Sequence, residues 1–224
     1  MSQSTIGSRL VYQNAKGVIE RNGFSAKNAV LSQSYLRSEV GANTTATSFR
    51  FPIVVNDNFT TIFNTAVLLN LQDVFIVSRW RLGFAAPSSA TATNFPVAYY
   101  PDKTIFSAAN TQTSLYTAYN SFIQIVVNGK VVYPKLAVNR SYAVPTTQAV
   151  ANAYYATSGP ALLGEAYGNS TGWSVCEPNL FLSGAKQTEV TIQLPSTLAA
   201  VETNQRFVLE FDGILCQNVT SVRG

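Results

Sequence analysis

Apolar and polar residues alternate with period two along much of this chain, which predicts strands with one buried face. In "VFIVSRWRLGF" (74–84), Trp80, Leu82 and Phe84 share one face, and Arg79 and Arg81 point to the other. "EVTIQLP" (189–195) sets Val190, Ile192 and Leu194 on one face. "RFVLEFDGILCQNVT" (206–220) turns Phe207, Leu209 and Phe211 inward, with a turn or bulge expected at Asp212-Gly213 before a last short strand. "FRFPIVV" (49–55) and "TTIFNTAVLL" (60–69) are also rich in strand formers. The sharpest local signal is "FIQIVVNGKVVYPKL" (122–136), two β-branched runs around Asn128-Gly129. Both turn residues tolerate positive φ, so a type I′ hairpin is predicted. Pro134 lacks an N–H and demotes the end of the second strand to an edge or an exit.

Between these runs the pattern weakens. A short helix is expected from Asn28, as N-cap, to about Glu39, with Leu31 and Tyr35 on one face. A second is expected within "VPTTQAVANAYYAT" (144–157), capped by Thr146 or Thr147. The polar stretches 85–103 and 156–188 read as long loops, and no repeat of fixed period exists. Seven or eight strands with little helix predict an all-β fold. The irregular spacing suits a β-sandwich better than an up-and-down barrel or a propeller. The domain organisation follows: residues 1–45 as a basic N-terminal arm or peripheral segment, and 46–224 as the sandwich.

Charge adds to this division. Residues 1–50 hold six basic and two acidic residues, and residues 51–224 hold nine of each, so the formal +4 sits in the first fifth. Arg9, Lys16, Arg21, Lys27 and Arg37 are the candidate contacts to an anionic partner. The other reading of these dispersed charges is a solvated basic face on the same domain. Over the whole chain 46% of residues are apolar and only 12% charged, about half the usual 25% charged share. Low charge with abundant Thr, Ser, Asn, Gln and Tyr suits a surface largely covered by copies of the same chain.

The chain has no histidine. That removes Ser-His-Asp and Cys-His catalysis and the commonest metal ligand. Cys176 and Cys216 lack metal or redox spacing and read as free buried thiols. No EF-hand or zinc pattern exists, and "GNSTGW" (168–173) lacks the lysine of a phosphate loop. Glu210 and Asp212 share a strand face and are the best acid pair for a hydrolase, but a solvent-facing pair is the commoner meaning. The expectation is a protein without catalytic residues, cofactor or metal. "MSQSTIGSRLVYQNAKG" lacks the apolar core of a secretory signal, so folding in the cytosol is expected. Five N-x-S/T triplets (Asn43, Asn58, Asn139, Asn169, Asn218) are read as chance in so polar a chain. There are 11 Tyr, 13 Phe and 2 Trp. The loop pairs Tyr99-Tyr100 and Tyr154-Tyr155 are the candidate interface aromatics, for subunit contacts or for a carbohydrate.

Taken together, "DVFIVSRWRLGF" (73–84), "YYPDKTIF" (99–106), "YNSFIQIVVNGKVVYP" (119–134), "VPTTQ" (144–148) and "RFVLEFDGILCQNV" (206–219) resemble jelly-roll capsid proteins of icosahedral viruses, bacteriophages in particular. The likeness lies in the order of features: basic arm, short-strand sandwich, long Tyr-bearing connections and low surface charge. It implies a jelly-roll-type β-sandwich, a single roll fitting this length better than a compact double one. It also implies a virion location and self-assembly into trimers, pentamers or hexamers that join other virion proteins in a shell. The arm would touch nucleic acid without sequence specificity, or an internal membrane. The alternative function is a carbohydrate- or protein-binding β-sandwich module of spike or lectin type.

Overall fold

A computed structural model describes residues 14–55, 57, 59, 61–102, 105–106, 108–143 and 172–221. Residues 14–21 form helix α1. The strands are β1 (Phe24–Ser25), β2 (Val30–Gly41), β3 (Ser48–Phe51), β4 (Val74–Ala85), β5 (Phe122–Val127), β6 (Lys130–Ala137), β7 (Ser174–Ser183), β8 (Thr188–Gln193), β9 (Arg206–Gln217) and β10 (Thr220–Ser221); helix α2 spans Ala109–Tyr119. Two four-stranded antiparallel sheets, β2-β9-β4-β7 and β3-β8-β5-β6, make a β-sandwich, and β1 pairs with β10 beside it. The pairing is nested: β2 with β9, β3 with β8, β4 with β7, β5 with β6.

The alternation read from the sequence fills the space between the sheets. Trp80, Leu82, Phe84, Phe207, Leu209 and Phe211 from one sheet meet Phe49, Phe51, Ile123, Ile125, Val190 and Ile192 from the other. The Phe49 and Phe207 rings lie 4.9 Å apart, which ties β3 to β9 across the layers. Each such buried side chain contributes about 1.5–3 kcal/mol relative to exposure. A second, smaller cluster sits on the outer face of the first sheet, where Ala15 and Ile19 of α1 cover Val74, Ile76 and Cys216. Their spacing of four residues puts both on one helix face.

Asn128 (φ 50°) and Gly129 (φ 73°) both take positive φ, as the type I′ hairpin requires. β6, which contains Pro134, is an outer strand. Several expectations need correction. The segment expected as a helix from Asn28 to Glu39 is strand β2, paired over its full length with β9. Twelve ladder partners outweigh a weak local helix preference. Residues 60–69 supply isolated bridges at Val67 and Leu69 rather than a strand. The expected loop 156–188 contains β7, and α2 forms in a stretch for which the sequence pattern predicts no element. β9 runs through Asp212-Gly213 without turning, and the irregularity lies opposite, in β4 between Val77 and Arg79. The helix expected within 144–157 lies outside the described residues.

The two sides of the sandwich differ. On the side of β2 and β3, Arg37 bridges Val67 and Val54 bridges Leu69, so the chain covers its own edges. On the side of β6 and β7, where the Tyr133 hydroxyl donates to the Pro178 carbonyl, Val131, Val132 and Val175 stand exposed.

Both cysteines are free and buried. Burial pushes each thiol up to about 12, Asp73 adding to the effect at Cys216. Folded thiols therefore keep their protons while unfolded ones ionise from about pH 8.5. Stability from these groups is complete below that pH and declines as pH rises towards 12. The melting temperature is expected to fall over this range, and less so in Cys176→Ala and Cys216→Ala relative to their own neutral values. A thiol reagent at pH 8 should label neither cysteine until denaturant is added.

Candidate functional site

β4, β9 and β2 direct their polar parity away from the core, and the register decides what meets there. Arg79 stands opposite Asp212, and Arg81 opposite Glu210. On the other side of β9, Tyr35 faces Asp212 and Arg37 faces Glu210. Arg79 Nε donates to Asp212 Oδ2 at 2.6 Å, and Arg81 Nε to Glu210 Oε2 at 2.5 Å. Opposite charges directly across a ladder contribute roughly 0.2–1 kcal/mol per pair.

Aromatic rings cover this charge. Trp173, just before β7, lies 4.9 Å from the Arg79 guanidinium and 4.3 Å from that of Arg81. Tyr99 lies 4.3 Å from Arg81 and donates its hydroxyl to Glu210 Oε2 at 2.8 Å. Burial pushes the Tyr99 hydroxyl well above its ordinary value, the Glu210 charge adds to this, and Arg81 partly opposes it. The phenol therefore stays a donor at neutral pH.

Further along the same face is a knot around the buried Glu39 and Arg206. Glu39 accepts from Arg37 Nε at 2.7 Å, from the Thr65 hydroxyl at 2.5 Å and from Arg206 Nη1 at 2.9 Å. Arg206 also donates to the carbonyls of Ser89 and Ala90. Its guanidinium lies 3.9 Å from the Phe63 ring and 5.1 Å from Phe95. Seven charged side chains of a sparsely charged protein thus pair with one another on one sheet face.

Where that face opens, Gln33, Tyr35, Arg79, Arg81, Trp173, Glu210 and Asp212 line a pocket of about 250 Å3. Gln33 and Asp212 also border a cavity of about 460 Å3 beside α1, whose remaining wall is largely apolar. Among the described residues, no group of three His, Cys, Asp or Glu is placed to hold a metal ion.

The residues singled out from the sequence are dispersed. Lys16, Arg21 and Lys27 are exposed on and beyond α1. Arg37 is not free for an anionic partner, because Glu39 holds it. Arg9, Tyr154 and Tyr155 lie outside the described residues. Tyr99 and Tyr100 are interior, not surface aromatics, with their hydroxyls on Glu210 and Asp102. Glu210 and Asp212 are not a solvent-facing acid pair but the partners of Arg81 and Arg79. Trp80 does lie on the face opposite these arginines, and the indole that covers them comes from Trp173, about 90 residues away in sequence and without a local signal. The complementary parity of Arg79/Arg81 and Glu210/Asp212 was the one clue available in the sequence.

No protein-family model matches this chain, and no curated protein matches it.

Proposed function

We propose that this chain is a single jelly roll and serves as a self-assembling shell subunit of the kind found in icosahedral virus capsids. The observation that carries the reading is the nested pairing of eight strands in two sheets. Eight-stranded rolls of this type recur in viral capsid and lectin domains. Strand order alone does not choose a function; the surface favours assembly. Seven charged side chains are drawn into ion pairs on one sheet face, while Val131, Val132 and Val175 are exposed on the β6 and β7 side. Lys130, Lys135 and Pro134 on β6 disfavour open-ended strand addition. The contact therefore joins side chains of neighbouring subunits and not a continued sheet. Exposed Lys16, Arg21 and Lys27 would form the side turned to a nucleic acid or an internal membrane.

The test is the mass of the full-length protein in solution by light scattering, with negative-stain microscopy. Trimers, pentamers, hexamers or closed shells are expected, with more than roughly 1,000 Å2 buried per contact. Val131→Asp combined with Val132→Asp should shift the mass to the monomer without lowering the melting temperature, since both side chains are exposed. A wild-type protein that stays monomeric at high concentration would refute the proposal.

A further inference from the structure

The pocket at the open end of the arginine–carboxylate ladder has features that the assembly reading does not use. We propose that it binds one neutral sugar ring in pyranose form. Among the described residues its wall holds two guanidiniums and two carboxylates, already paired. The described wall is therefore electrically balanced, which favours a neutral ligand.

The pairing leaves capacity over. Among the described residues each arginine is held by its carboxylate through Nε, so the terminal nitrogens of Arg79 and Arg81 remain as donors. Asp212 Oδ1 and Glu210 Oε1 remain as acceptors, since the pairs use Oδ2 and Oε2. The Gln33 amide supplies both kinds, and the Tyr35 hydroxyl and the Trp173 indole N–H add to them. A sugar ring carries hydroxyls that donate and accept at once around an apolar C–H face. It needs this mixture beside aromatic area, which Tyr35, 52% exposed, and Trp173 provide.

Size and rigidity point the same way. At about 250 Å3 the pocket is smaller than the roughly 300–1,000 Å3 typical of drug-sized ligands, a size that suits one ring. The two arginines are fixed on one edge by carboxylates and on a face by Trp173, so little side-chain freedom is lost on binding.

Tryptophan fluorescence tests this at any oligomeric size. Trp80 is buried in the core and Trp173 lines the pocket, so only Trp173 should respond. The probes are methyl pyranosides of glucose, galactose, mannose and N-acetylglucosamine, with inorganic phosphate as the anionic comparison. At least one glycoside should give a saturable change in the millimolar range that is absent in Trp173→Phe. Gln33→Ala and Tyr35→Ala, at exposed or half-exposed positions, should weaken it at least tenfold while the melting temperature is kept. The proposal is overturned if no glycoside produces a saturable change, if phosphate alone does, or if binding survives both wall substitutions. None of these outcomes depends on the solution mass, so it can fail while the assembly reading holds, and the reverse.

Discussion

Replacing Glu39 with alanine should lower the melting temperature by roughly 6–20 °C. Glu39 and Arg206 have side chains 0% and 1% exposed. Removing the carboxylate leaves the Arg206 guanidinium buried with only two carbonyls and two rings, and its Nε has no hydrogen-bond partner even in the intact protein. Breaking a buried pair from one side costs about 3–5 kcal/mol, and each kcal/mol moves the midpoint by about 2–4 °C at this chain length. The double replacement Glu39→Leu with Arg206→Met removes both charges and should recover most of the loss. Asp212→Asn is the contrasting case. Its partner Arg79 is 34% exposed, so water can replace the bond and at most about 1 kcal/mol is expected. Thermal melts of the four proteins decide this. An unchanged midpoint in Glu39→Ala would mean that the knot does not hold the outer segments to the sheet.

Gly213→Ala should destabilise the fold by about 3 kcal/mol or more, read as a fall in urea midpoint or in soluble yield. Gly213 lies in β9, between β2 and β4, opposite Val77 at the irregularity in β4. A Cβ there would collide with the Ile76 carbonyl oxygen and press on the Val77 backbone. Those are backbone atoms of a strand paired on both sides, so relief requires moving the sheet, and the cost lies at or beyond the upper end for overpacking. Two other glycines give the comparison. At Gly129 a Cβ meets open space, but φ is +73°, so alanine should cost only about 1 kcal/mol. At Gly17, in α1, space is open and no positive φ is found, so alanine should stabilise by roughly 0.4–1 kcal/mol. The three substitutions share one chemical change and differ in sign and size only through their surroundings.

The same separation between local chemistry and surroundings runs through the whole molecule. Period-two alternation and the Asn128-Gly129 turn identified β4, β5, β6, β8 and β9, and in β4, β8 and β9 said which side chains face the core, because side-chain direction along a strand depends on parity alone. It also placed Arg79 and Arg81, and Glu210 and Asp212, on outward faces. β2 escaped notice because its inner face reads Leu36, Ser38, Val40, with a hydroxyl in the middle. β7 escaped because Glu177-Pro178 interrupts it and Val175 faces solvent. α2 escaped because two of its buried residues, Thr111 and Ser114, are polar, and an apolar stripe is what sequence reading looks for.

Pairing belongs to the tertiary structure. Arg81 reaches Glu210 across 129 residues and Arg206 reaches Glu39 across 167. The register of β4 and β2 against β9 sets those distances, together with the bulge that moves Ser78 out of step. Trp173 covers the arginines because β7 is brought beside β4, and Tyr99 is interior because the segment after β4 folds back over the sheet. The sequence by itself determined a two-faced sandwich with a fixed set of inward residues. The partners of the outward charges, and the pocket they leave, were decided only when the nested strands closed, because register joins distant residues and leaves no periodic trace in the chain.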